Sequence, residues 1–165
     1  MSDINWGRLL FGFSGRINRA KWWLAVLVSI IISVIVAAVT NVISSEGLGA
    51  VISLAGAIPQ IWISLAAGVK RLHDLNRTGA WLVLFYLAPV VLVVAFFAIV
   101  GIDVMGALIS DKPLESGVIA RVGTTAVIIG LLLFILWVWA LIWFGCLRGT
   151  VGPNQYGPDP LEGRV

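Results

Sequence analysis

Residues 78–102 read TGAWLVLFYLAPVVLVVAFFAIVGI, twenty-five residues without a charge. A helix rises about 1.5 Å per residue, so about 20 residues cross a hydrocarbon core of about 30 Å. This stretch is long enough to span with some tilt. It lacks the alternating pattern of outer-membrane strands, whose segments run to about ten residues. Lipid offers the backbone no hydrogen-bond partners, so the segment must satisfy its own N–H and C=O groups as a helix.

Three further gaps between charges have the same character: 24 residues from Trp22 to Ser45, 23 from Gly47 to Val69, and 26 from Val122 to Leu147. The expected fold is therefore an all-α integral membrane protein, a four-helix transmembrane bundle. Residues 1–21 form an N-terminal interfacial segment, 22–147 the transmembrane domain and 148–165 a turn-rich tail. Composition agrees. Apolar residues make up 60% of the 165-residue chain, charged residues 12%, and mean hydropathy is +1.04. A soluble domain carries roughly twice that charged share, and a disordered chain needs low hydrophobicity. The first span is too long, and lies too far along the chain, for a signal-peptide apolar region, and is expected to persist as an anchor.

Orientation follows from Lys and Arg. Arg8, Arg16, Arg19, Lys21, Lys70, Arg71, Arg77, Arg148 and Arg164 fall on one side, and Lys112 and Arg121 on the other. The nine-residue side is expected to be cytoplasmic, with both termini inside. The net charge of +3 then records topology and attraction to anionic lipid, and gives no reason to invoke nucleic acid.

The connections carry their own signals. Ser44, Ser45, Glu46 and Gly47 read as a tight external turn. Asp103 to Arg121, with Gly106, Pro113 and Gly117, reads as the longest and most mobile loop. Trp6, Leu9, Leu10, Phe13 and Ile17 recur at helical spacing and suit a segment lying in the interface, although Gly7, Gly12 and Gly15 weaken a helix there. Asn18 is placed to cap the first span. Trp22, Trp23 and Trp81 fall at inner boundaries, where indoles anchor.

Candidate chemistry is sparse. One His and one Cys do not make a zinc site, which takes three or four ligands. No cofactor or metal is expected. Cys146 reads as a small apolar residue. No span interior holds an ionisable group, which argues against an ion-coupled transporter. Gln60, after Pro59, is the main intramembrane polar residue. With Pro89 in the third span, it suggests two broken helices that would support a small transporter or channel. The competing reading is an interhelical hydrogen bond. Small residues at Ser29, Ser33 and Ala37, and at Gly49, Ser53, Ala57, Ser64 and Gly68, are expected to form the contact between spans one and two, with a homo-oligomer as the alternative. The segment Lys70 to Arg77 places Asp74 three or four residues from Lys70, Arg71 and Arg77, so a helix there clamps it between cations. The functional counterpart of that charge-paired loop is an anion or phosphate site using Arg forks and His73.

Three segments extend this reading: Phe13-Ser14-Gly15-Arg16-Ile17-Asn18-Arg19 with Trp22; Lys70-Arg71-Leu72-His73-Asp74 with Gly79 and Trp81; and Asn154-Gln155-Tyr156-Gly157-Pro158-Asp159-Pro160. Together they resemble the bacterial inner-membrane family catalogued as domain of unknown function 805, over nearly the whole chain. The resemblance implies a small multi-pass protein of the bacterial inner (plasma) membrane, and supplies no activity. Asn76 stands where the family pattern has a glycine, which puts the shape of that turn in question.

By the charge count all three segments fall on the cytoplasmic side. They define a candidate composite site of Arg16, Arg19, Arg71, His73, Asp74, Asn154, Tyr156 and Asp159. Asp74 is expected to pair with Arg16, Arg19 or Arg71, and His73 to add pH sensitivity. No motif of a phosphatase, protease or transferase is visible. The expected role is a non-enzymatic binding or scaffold module whose partners are membrane lipids, through anionic headgroups, or another membrane protein.

Overall fold

The computed structural model describes residues 5–43, 45–109, 113 and 115–163. The helices are α1 (Trp6–Phe11), α2 (Arg19–Val42), α3 (Glu46–Asp74), α4 (Trp81–Ile109) and α5 (Ser116–Ala140), the last continuing as a π-helical turn over Leu141–Cys146. Four are long and apolar enough to cross a membrane: Arg19–Val42, Glu46–Asp74, Trp81–Ala107 and Ser116–Cys146. Among the described residues the chain forms no strand.

Local chemistry sets the ends. Asn18 caps α2, its side-chain oxygen accepting from Lys21 N–H at 2.9 Å. Ser45 does the same for α3 through Leu48 N–H. Ser44, also read into that turn, lies outside the described residues. The C-terminus of α3 is a Schellman stop: Arg77 N–H donates to Leu72 O, and Asn76 N–H to His73 O. Asn76 sits at the left-handed position with φ +55°. Asparagine tolerates that region better than other residues with a side chain, so the turn keeps its form without glycine.

Three expectations are corrected. The N-terminal segment is helical only over Trp6–Phe11; Gly12 is already extended, so Phe13 and Ile17 fall outside any helix. The helices outrun the charge gaps: α4 passes through Asp103 and Gly106, and α5 starts before Gly117 and Arg121, which shortens the loop read there. Residues 110–112 and 114 of that loop lie outside the described residues. Pro59 and Pro89 lie inside α3 and α4, which run unbroken through them. Each proline removes one donor, and with no water in the hydrocarbon to compete the remaining ladder holds.

The chain divides into two compact units, one comprising everything up to Leu82 together with everything from Trp143 onward, the other Val83–Ile142. In the first, α2 and α3 pack side by side, and α1 lies against both. Leu9, Ile17, Ala25, Ile63 and Ala67 form its apolar core. The close approach is at Gly56, where a Cβ would stand 2.6 Å from a Val36 methyl, and at Gly68, where it would stand 2.8 Å from Leu82. Gly49 meets nothing within 4 Å and Ser53 is exposed, so the expected small-residue row makes contact only in part. Gln60 sits on this seam, with Oε1 2.6 Å from Ser33 Oγ and Nε2 donating to Gly56 O. In the second unit Phe85 meets Trp139 edge-on with centroids 5.4 Å apart. Trp137 is 59% exposed. Only 6% of the α2 spanning window is buried, a surface suited to lipid rather than water.

Candidate functional site

Everything that distinguishes this chain from a plain set of apolar helices gathers at one end of the first unit, around Asp74. The last turn of α3 carries Lys70, Arg71 and Asp74 inward, and all three residues are buried. Asp74 Oδ1 accepts from Arg16 Nε at 3.1 Å and lies 3.0 Å from its Nη2, while Oδ2 accepts from Arg71 Nη1 at 2.5 Å. The three side chains are 1%, 4% and 0% exposed for Arg16, Asp74 and Arg71. Two cations around one carboxylate leave a surplus positive charge in a dry place. Burying a charge is tolerable only when its hydrogen bonds are met.

Backbone carbonyls meet them. Arg16 Nη1 donates to Gly152 O at 2.7 Å and to Gly157 O at 3.4 Å, and Nη2 to Thr150 O at 2.6 Å. Arg71 Nε donates to Phe144 O at 2.9 Å, and Nη2 to Leu147 O. Trp23 Nε1 reaches Gly145 O at 3.3 Å, and Arg19 Nη1 reaches Cys146 O at 2.9 Å. The last carbonyls of a helix have no partner within it and carry the negative end of the dipole. Here the carbonyls of residues 144–147, closing the final span, are each capped by a side chain from another element. The end of α3 is treated alike: Ile17 N–H donates to Lys70 O, Thr150 N–H to Asp74 O at 2.8 Å, and Asn154 Nδ2 to His73 O at 2.9 Å. Lys70 Nζ in turn donates to Arg8 O and Leu9 O at the end of α1, both at 2.6 Å.

The tail is folded to fit. Asn154 and Gly157 exchange both backbone hydrogen bonds, closing a tight turn. Tyr156 on that turn stacks on His73, centroids 3.9 Å apart and planes 4° from parallel. His73 Nδ1 lies 3.2 Å from Gly15 O, so that nitrogen carries the proton. Asp159 accepts from the backbone N–H groups of Leu161 and Gly152 at 2.9 Å each. Those bonds hold its carboxyl below the ordinary carboxylate range. Gly149 packs so closely on the Asp74 carboxylate that a Cβ would overlap it.

Arg16, Arg71, His73, Asp74, Asn154, Tyr156 and Asp159 thus come together through direct bonds and the backbone of the tail. Arg19 adjoins them but caps Cys146 instead of pairing with Asp74. Lys70 and Arg77, read as partners of Asp74 by spacing, are not: Lys70 turns to α1, and Arg77 is exposed. Gln60 is elsewhere, between α2 and α3. Sequence reading missed Thr150, Gly149 and the aromatic cover of Trp22, Trp23 and Phe144. Trp22 stacks on Phe144 at 6.0 Å, and a Cβ on Gly145 would stand 2.8 Å from Trp23. The glycines at 145, 149 and 152, four and then three residues apart where the last span gives way to the tail, were the available signal.

A helical multi-pass membrane protein with a buried Arg–Asp–Arg cluster where its motifs meet is the class these features define. The chain belongs to the family described as protein of unknown function (DUF805), whose pattern matches residues 10–111. It is similar to inner membrane protein YhaI of Escherichia coli (strain K12), with 27% identity over 154 residues, covering 92% of this chain and 88% of that protein. It is also similar to inner membrane protein YhaH of the same strain, 25% identical over 154 residues, covering 90% and 87%. No solved structure matches it significantly. With its four spanning helices, the chain is a multi-pass protein of the bacterial inner membrane.

Proposed function

We propose that this chain is a non-enzymatic membrane module. Its motif-bearing end is a cytoplasmic cap that engages anionic phospholipid of the inner leaflet, and both termini are cytoplasmic. One observation carries the reading. The groups that look most like chemistry, Arg16, Arg71 and Asp74, spend their hydrogen bonds on each other and on backbone carbonyls. Catalysis would need a positioned acid, base or nucleophile free to meet a substrate. A cluster closed in this way instead fixes a shape, and the cations outside it supply the charge. Of the basic residues at this end, Arg8, Arg19, Arg77 and Arg148 are exposed and Lys21 is half-buried. Each basic group near an anionic surface contributes about 1 kcal/mol of attraction.

The test is lipid selectivity of the full-length protein by native mass spectrometry. Phosphatidylglycerol should be retained over phosphatidylcholine, and raising salt should erode the difference. Equal retention of both lipids would refute the reading.

A further inference from the structure

An open cavity of about 440 Å³ lies between α1, the link from Ser14 to Ile17, and the end of α3. Among the described residues that line it, four are basic, Arg8, Arg16, Lys21 and Lys70, and none is acidic. Their states differ. Arg16 is committed to Asp74 and the tail carbonyls. Lys70 is 2% exposed, and two of the three protons an ammonium can donate go to Arg8 O and Leu9 O. The side chains of Arg8 and Lys21 meet no acceptor among the described residues. Three residues with donors to offer thus line one space of ligand size, together with Ser14. Lys21 lies in the first turn of α2, next to the indoles of Trp22 and Trp23, which places the cavity at the depth of the lipid headgroups.

A cation in a helix first turn opposes the dipole, and no carboxylate among the described residues is paired with Lys21. An oxyanion seated between Lys21, Arg8 and the last Lys70 proton would. The Arg8 guanidinium matches two oxygens of a tetrahedral phosphorus, and the two ammonium groups serve as point charges. We propose that this cavity is a phosphate site, taking the phosphate of an anionic lipid headgroup or of a free small molecule. The proposal rests on the cationic-cap reading and sharpens it to three residues.

The experiment compares wild type, Lys21→Ala, the double variant Arg8→Ala/Lys21→Ala, and a charge-matched control, Arg77→Ala/Arg148→Ala, all full length. Lys21→Ala removes an unfavourable helix-end cation and Arg8→Ala leaves the carbonyl that receives Lys70, so these proteins fold. Melting in phosphatidylcholine nanodiscs checks it. Affinity for phosphatidylglycerol should fall about tenfold further in the cavity double variant than in the control, which loses only the diffuse attraction of two surface charges. Lys21→Ala should fall between. A parallel titration in lipid-free micelles with inorganic phosphate distinguishes the source. Stabilisation of wild type but not of the cavity variants identifies a soluble phosphate, and selectivity for phosphatidylglycerol alone identifies the lipid. Equal losses in cavity and control variants would overturn the site while leaving a diffuse cationic cap intact. A wild type that neither prefers phosphatidylglycerol nor responds to phosphate would overturn both.

Discussion

Asp74 is the residue on which the basic end depends, because removing it strands two guanidinium groups that have no route to water. Breaking one partner of such a buried arrangement costs about 3–5 kcal/mol. Asp74→Ala should therefore lower unfolding free energy by about that much in a mixed-micelle titration, while Glu162→Ala, at an exposed position, should stay within about 0.5 kcal/mol. Gly149→Ala should destabilise by about 1–3 kcal/mol, since its methyl must displace the carboxylate. Asp159 acts through pH. Its folded pKa is depressed, so its stabilisation is complete above the unfolded value of about 3.9 and is lost as pH falls through the folded one. Amide exchange at Gly152 and Leu161, corrected for intrinsic rate, should match at pH 7 and pH 5 and rise only below about pH 4. Asp159→Asn should abolish that acid step. Pairing of Asp74 with Arg71 was readable from a spacing of three, because α3 continues through both. Pairing with Arg16, 58 positions away, rested on the hairpin topology and not on any local pattern.

Helix ends explain why the motifs are rich in Arg, Asn and Gly. Arg71 serves Phe144 O, Leu147 O and Asp74 from three nitrogens in one plane. Lysine presents its donors from a single atom, so Arg71→Lys should cost about 1.5–3 kcal/mol in the same titration despite conserving charge. At the Schellman stop, Asn76→Gly should be nearly neutral, and Asn76→Val should destabilise by about 1–2 kcal/mol through the left-handed backbone. Span number was legible because uncharged gaps report burial in lipid directly. Span length was not: Asp103 and Arg121 lie on helices that extend past the charge-free stretch, so the charges do not mark the helix ends. The proline positions misled for a related reason, since helix breaking in water is a poor guide to helices whose ladder has no competitor.

On the scale of the whole molecule, the two-to-nine split of basic residues predicts a cytoplasmic motif end, as proposed above. Reporter fusions after Arg71 and after Asp111 should accordingly report opposite sides of the membrane, and any pair reporting the same side would contradict that orientation. Charge asymmetry is a property of composition along the chain, so an orientation can be predicted from it without any contact. The cavity beside Lys70 could not. It exists because α1 stops at Gly12 and the chain turns back toward α3, and a hydrophobic pattern running from Trp6 to Ile17 hides that turn.

The acceptors of Arg16 are the carbonyls of Thr150, Gly152 and Gly157, and those of Arg71 close the last span. Synthesis is directional, so the N-terminal arginine meets Asp74 once α3 is made but waits for its carbonyl partners until the last span is complete. Before Thr150 is reached, Asp74 is the acceptor that Arg16 and Arg71 share. The segment from Thr150 to Gly157 thereby completes the bonding of an arginine that precedes the first span, so the basic end closes only after the last span is in place.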